Sequence, residues 1–202
     1  MIHFYEPGSR QDAPTLLLLH GTGGSERDLV GIGRMLDPEA GLLGVRGNVS
    51  ERGMARFFRR IAEGVFDEED LIARTAELNA FVDESAERYG FDRRGVVAVG
   101  YSNGANIAAS LLYHHPDALK AAVLFHPMVP RRGVVLPDLT GVPVFIGAGL
   151  SDPLCTVAES EELAAALGAV GAGVETHWEP GGHQLSRSEL EAAARWLREA
   201  MA

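Results

Sequence analysis

The stretch VVAVGYSNGANIA, residues 96–108, decides how the chain is read. A run of small, mostly β-branched residues breaks at Gly100, passes through Tyr101-Ser102-Asn103 and leaves by Gly104 into an alanine-rich segment. The run predicts a buried strand, and the segment after it a helix. Gly100-Tyr101-Ser102-Asn103-Gly104 fits G-x-S-x-G, the pattern of a serine carried on a sharp strand-to-helix turn. The backbone is strained at such a turn, and flanking glycines keep side chains away from it. The following helix points its positive end toward the serine. Ser102 can therefore be a nucleophile, or it can be a helix N-cap, a common role for serine. The five residues alone do not separate the two.

The same alternation runs outward in both directions. IHFYE opens the chain as a strand, and TLLLLH is a continuous apolar run of the kind buried on both faces of a sheet. GLLGVRG is a weaker strand near residue 43. KAAVLFHP and VPVFIGAG are strong ones, and GVETHWEP alternates as expected near a sheet edge. Between them lie helical patterns over 26–36, 103–114, 156–169 and 186–200. A longer one begins at EEDLIARTAEL, where Leu71, Ile72, Thr75, Leu78, Phe81 and Val82 recur at helical spacing and Gly90 ends the run. Strands alternating with helices predict a mostly parallel sheet covered on both faces. No repeat or linker divides the chain, so a single domain over residues 1–202 is expected.

Composition narrows the function classes. The chain has 202 residues, 46% hydrophobic and 23% charged, with a formal net charge of -10. That acidity argues against nucleic acid as a partner, because phosphate binding needs a basic surface. The N-terminus lacks the basic and long apolar regions of a signal peptide, and no apolar run approaches a membrane span. With one cysteine, Cys155, no intrachain disulfide can form. A cytoplasmic protein without membrane insertion is the expectation.

Ligands of parallel sheets bind beyond the carboxyl ends of the strands, so chemistry is sought there. Asp152 follows one strand in GLSDPLC, where Ser151-Asp152-Pro153 is also a good turn sequence. His183 follows the last strand in PGGHQL, where a histidine can equally be a loop residue. Serine needs a base, and the base needs a carboxylate to fix its tautomer. Ser102, Asp152 and His183 fall at one sheet edge in the chain order expected of this architecture. His126, which also ends a strand, is the competing base, but it precedes the acid in sequence. A fourth strand end carries His20-Gly21-Thr22-Gly23-Gly24. The Thr22 and Asn103 N–H groups can there supply the two fixed donors that a tetrahedral oxyanion needs. His20 is expected to brace this loop. A phosphate loop is the other reading of the glycines, but neither phosphate-binding pattern follows.

Taken together, LLLLHGTGG, GYSNGANIA, GLSDPLC and GGHQL resemble the α/β-hydrolase superfamily over essentially the whole chain. Size and motifs look like the carboxylesterase/phospholipase family that includes acyl-protein thioesterases. VRGNVSERGMARFFRRIAEGVFDEEDL and FHPMVPRRG look closer still to small bacterial carboxylesterases, often associated with hydroquinone-responsive operons. The resemblance implies a three-layer α/β-hydrolase fold, a Ser102–His183–Asp152 triad, hydrolysis of a small-molecule carboxylic ester through an acyl-enzyme, and no cofactor. One departure stands out: about 15 Pro/Gly-rich residues separate AVLFHP from VPVFIG. They leave no room for a large cap domain and little for the usual helix. The site is therefore expected to be shallow and open, which leaves room for a second copy to cover it as a homodimer. An acyl thioesterase or lysophospholipase is the rival among hydrolases. A non-catalytic small-ligand sensor is the rival outside them.

Residues 46–70 are the expected specificity element, too long for a simple turn. Met54, Phe57 and Phe58 can line an acyl or aryl pocket, or pack into the core. Arg46 can meet a substrate carboxylate or, the favoured reading, brace its loop. His126, Met128 and Arg131-Arg132 follow a strand end and can touch substrate. The acidic run at 67–70 reads as a helix start rather than a metal site. Cys155 is expected to be a buried small residue.

Overall fold

The apolar runs become strands because their residues must bury both faces, and each strand sorts its side chains alternately above and below the sheet. In the computed structural model, which describes residues 1–10 and 12–202, the elements follow one another along the chain. They are β1 (His3–Glu6), β2 (Thr15–Leu19), α1 (Val30–Leu36), β3 (Gly41–Val45), β4 (Val49–Glu51), β5 (Met54–Arg56), β6 (Arg60–Ala62) and β7 (Val65–Phe66). Then come α2 (Glu68–Tyr89), β8 (Val96–Tyr101), α3 (Asn103–His114), β9 (Ala121–Phe125), β10 (Pro143–Gly149), α4 (Val157–Ala169), β11 (Gly173–Glu179) and α5 (Arg187–Ala200).

Seven strands form one sheet in the order β1-β3-β2-β8-β9-β10-β11. Only β1 runs antiparallel to its neighbour. Leu17 and Leu19 of β2, with Val96 and Ala98 of β8, face the core beneath α2, α3 and α4. Leu16 and Leu18, with Val97 and Val99, face the opposite core beneath α1 and α5. Helices therefore cover both faces and complete three layers. The alternating GVETHWEP segment is β11, at the sheet edge as expected.

The helix ends follow local chemistry. Asp67 caps α2 by accepting the Asp70 N–H, with Glu68 and Glu69 also in the first turn, so the acidic run is a helix start. Gly90 closes the same helix at φ 74°, a left-handed conformation that glycine adopts without penalty. The helix expected over 26–36 begins only at Val30, because residues 25–29 form turns. Residues 126–142, between β9 and β10, contain no helix, and among the described residues no large cap stands over the sheet. No described helix is long and apolar enough to cross a membrane.

Residues 46–66 depart most from simple periodicity. They fold as two small antiparallel hairpins, β4–β5 and β6–β7, outside the main sheet. Strands of two or three residues are too short to show a period of two, so the sequence pattern carries only the length of the excursion.

The turn between β8 and α3 depends on a close crossing. A Cβ on Gly104 would lie 1.9 Å from the Leu19 carbonyl oxygen, and one on Gly100 2.5 Å from the Gly104 oxygen. Helix propensity alone favours alanine over glycine by about 1 kcal/mol. The backbone clash opposes it, and Gly104→Ala is expected to destabilise the protein by roughly 2–4 kcal/mol. Urea unfolding of the variant checks this; unchanged or raised stability would contradict the close packing of α3 on β2.

Candidate active site

Four loops at the carboxyl edge of the sheet meet around Ser102. The serine sits at φ 52°, ψ -114°, a strained conformation for a residue with a side chain. Its N–H donates to Phe125 O at 2.9 Å, and its carbonyl accepts the Asn106 N–H at 2.9 Å, so the backbone is held at both ends. Although Ser102 stands at the N-cap position of α3, its side chain makes no capping hydrogen bond. Its Oγ instead lies 2.9 Å from His183 Nε2. The capping alternative raised by the sequence is thereby corrected.

His183 Nδ1 lies 2.8 Å from Asp152 Oδ2. A carboxylate can only accept, so Nδ1 carries the proton and Nε2 presents its lone pair to the Ser102 hydroxyl. Asp152 is buried, and its Oδ1 accepts the N–H groups of Leu154 (2.8 Å) and Cys155 (3.0 Å). The residue is thus both a turn former and the histidine's partner. Burial pushes the Asp152 carboxyl up; hydrogen bonds from Cys155, His183 and Leu154 outweigh it and hold the group below its ordinary value. The two loops are laced together: Leu150 N–H donates to Glu179 O and Ser151 N–H to Gly181 O, while the Tyr101 hydroxyl at the end of β8 donates to His183 O.

The glycine-rich loop after β2 closes the other side. Thr22 and Asn103 both border the cleft with Ser102, and among the described residues neither backbone N–H donates to another protein group. His20 braces the loop as expected: it donates from Nδ1 to Gly21 O at 2.5 Å and accepts the Gly47 N–H on Nε2 at 3.0 Å. Burial lowers the His20 pKa, which suits this neutral imidazole.

The cleft measures about 500 Å³ and includes Thr22, Arg56, Arg60, Phe66, Met128 and Leu154 in its walls. Of the candidate substrate contacts, Met128 is present. The others lie elsewhere, each for a physical reason. Phe57 and Phe58 are 1% and 0% exposed and belong to the core under α2 and α3. Met54 lies beside Gly23 and is partly exposed to solvent. Arg46 pairs with Glu26 at 2.7 Å and braces its loop. His126 is fully buried behind Asp152, with Nδ1 at 3.0 Å from Oδ2. Arg131 pairs with Glu68, and Arg132 with Glu159 and Glu162. Cys155 is buried, as expected, and its Sγ contacts His126 O.

Arg56 was not among the sequence candidates. Its Nη1 donates to Thr22 Oγ1 at 2.7 Å, and its Nε to Phe58 O at 3.2 Å. Ala55 O accepts the Gly23 N–H at 2.8 Å, and the Phe57 N–H donates to Asn103 Oδ1 at 2.8 Å. Residues 55–57 therefore grip both sides of the cleft beside Ser102. Glu51 accepts from Arg60 and lies 3.3 Å from Arg56. The only signal for this in the sequence is the length of the excursion itself. His126, Asp152 and His183 bring three potential metal ligands within 4.8 Å, and both histidine Nδ1 atoms lie within hydrogen-bond distance of Asp152 Oδ2.

A model of the dienelactone hydrolase family matches residues 48–194. The chain is 60% identical over 201 residues to the putative hydrolase MhqD of Bacillus subtilis (strain 168), with 100% of each covered. A crystal structure of the Bacillus cereus carboxylesterase is 59% identical; the match covers 98% of this chain and 93% of that one, with a TM-score of 0.97. A carboxylesterase from Mesorhizobium loti is 33% identical, covers 94% and 90% respectively, and has a TM-score of 0.88. The three-layer sheet is thus the α/β-hydrolase fold that the motifs resemble.

The burial of the second phenylalanine carries a direct consequence. Phe58→Ala is expected to cost about 3–5 kcal/mol of stability without changing which substrates are preferred among those turned over. Denaturant unfolding together with a substrate panel checks it; an altered preference at unchanged stability would return Phe58 to the pocket wall.

Proposed function

The chain is a hydrolase of the dienelactone hydrolase family, within the α/β-hydrolases, and on that premise we propose that it is a serine carboxylesterase working through an acyl-enzyme on Ser102. The observation that carries the reading is the continuous hydrogen-bonded chain from Ser102 Oγ through His183 to Asp152, at 2.9 and 2.8 Å. The histidine is already in the tautomer that a general base requires.

In the proposed reaction, His183 Nε2 takes the hydroxyl proton as Ser102 Oγ attacks the ester carbonyl. The Thr22 and Asn103 N–H groups, which have no other partner among the described residues, receive the oxyanion. Collapse of the tetrahedral adduct breaks the bond to the leaving alcohol, which takes the proton from His183. Water then attacks the acyl-enzyme, with His183 again as base, and releases the acid and Ser102. Asp152 stays ionised and offsets the transient charge on His183. No cofactor enters this sequence. The two guanidinium groups in the cleft wall, Arg56 and Arg60, support the reading of a small, polar ester over a long acyl chain.

Ser102→Ala is expected to lower kcat on p-nitrophenyl acetate and butyrate by on the order of a million-fold while leaving the fold intact. Full activity in that variant would sink the assignment. Preference for long acyl thioesters or lysophospholipids would move the reading to the rival hydrolases. A wild-type serine that resists a fluorophosphonate, with no turnover of any ester, would favour a sensor.

Arg56→Met is expected to lower kcat about tenfold with KM little changed, because it frees the loop that carries Thr22. Steady-state kinetics on folded protein would contradict this if KM alone moved.

A further inference from the structure

Behind Asp152 lies a second buried histidine that the proposed reaction leaves unused. His126 is 0% exposed and stands at φ 52°, an uncommon conformation for a residue with a side chain. Its Nδ1 is 3.0 Å from Asp152 Oδ2, the same oxygen that receives His183. Its Nε2 is 3.4 Å from Oε1 of Glu189, which is itself 0% exposed. Glu189 Oε1 occupies the space over Gly147, where a Cβ would lie 2.2 Å from it. The other carboxylate oxygen accepts the Ser186 N–H and completes the cap of α5.

The arrangement does not balance with ordinary protonation states. A neutral imidazole has one N–H and one lone pair, and here it faces a carboxylate on each side. If Nδ1 holds the proton, the Nε2 lone pair meets Glu189 Oε1. If Nε2 holds it, the Nδ1 lone pair meets Asp152 Oδ2. Buried acceptor against acceptor is costly, and Nε2 and Oε1 are indeed buried atoms without a hydrogen-bond partner of good geometry. Neither carboxylate pairs with a lysine or arginine among the described residues. One additional proton removes the conflict, either as an imidazolium or as a neutral Glu189 carboxylic acid donating to Nε2. In both forms Nδ1–H points at Asp152.

We propose that His126 and Glu189 hold one buried proton between them, and that this pair positions the Asp152 carboxylate against which His183 is oriented. His183 and Tyr101 are the other titratable rings near His126, and the Cys155 thiol touches its carbonyl. Burial holds the Tyr101 phenol and the Cys155 thiol above their ordinary pKa values, so both stay protonated through the neutral range. Burial alone would lower the pKa of His126; the adjoining Glu189 carboxylate, then Asp152, reverses this and raises it. The two carboxylates therefore favour the protonated form, and the proton is lost as pH rises. Once it leaves, the remaining imidazole proton turns to Glu189, which has fewer other donors than Asp152. The His126 lone pair then faces Asp152 and loosens it.

The kinetic part of the proposal rests on the Ser102 reading; the proton itself does not. Nitrogen-15 histidine NMR and infrared spectroscopy of the wild type test it directly. The expected result at neutral pH is either two protonated nitrogens on His126, or an Nδ1–H tautomer with a carboxylic-acid C=O stretch that disappears in Glu189→Gln. A neutral His126 beside an ionised Glu189 would overturn the proposal, whether or not the protein hydrolyses esters. In kinetics, wild-type kcat is expected to fall about tenfold or more at alkaline pH, with the same midpoint as the His126 titration. In Glu189→Gln, whose amide N–H can face Nε2 at any pH, that alkaline fall is expected to vanish. Alkaline limbs that coincide in the two folded proteins, or a wild-type midpoint unrelated to His126, would refute the positioning role. Absence of all esterase activity would overturn the Ser102 reading and leave the spectroscopic test standing.

Discussion

The site depends on how closely helix α3 approaches strand β2. Gly104 lets the first turn of the helix rest on the Leu19 carbonyl, and Gly100 lets the strand turn back beneath it. Both contacts are backbone against backbone, so a flexible side chain cannot absorb a change. The elbow that results holds Ser102 at positive φ and lifts its hydroxyl clear of the helix cap it would otherwise make. The conformational strain costs on the order of 1–3 kcal/mol. The alternating core on the two sheet faces offsets it.

The remaining groups are positioned by loops, and the loops are tied to one another rather than left to the sheet. The Asp152 and His183 loops share backbone hydrogen bonds across adjacent strands β10 and β11. The Thr22 loop and the Asn103 side chain are both held from residues 55–57. In the proposed reaction, the hairpin excursion therefore does two things. Arg56 and Phe66 help form the cleft wall, while Arg56, Ala55 and Phe57 hold the oxyanion side in place.

How much of this was legible in the sequence follows from the range over which each interaction acts. The strands and long helices are dictated locally by apolar period, capping residues and glycine stops, and the structure places them close to the sequence boundaries. The grouping of Ser102, Asp152 and His183 is long-range, but the parallel-sheet rule brings all strand ends to one edge, so chain order sufficed. The hairpins at residues 46–66 obey no such rule. Phe57 and Phe58 looked like pocket residues because they sit in the right segment, yet their size and apolarity sent them to the core. The cleft instead received Arg56 and Arg60, which share Glu51. Arg46 braced its loop, the favoured of the two readings.

His126 and Glu189 were hidden for a different reason. Ser186-x-x-Glu189 is a complete capping box, and that role accounts for Glu189 without remainder at the level of sequence. A glutamate has two carboxylate oxygens, however, and capping occupies only one. The second is aimed across the sheet through the gap left by Gly147, toward a histidine that a linear reading would treat as a rival base. The two histidines differ in geometry: His126 reaches Asp152 from behind, while His183 reaches both Asp152 and Ser102. Two histidines on one carboxylate oxygen are not redundant. One has a lone pair free for the serine, and the other meets a second buried carboxylate. The proton balance of the pair behind Asp152 therefore sets how firmly the proposed base is oriented.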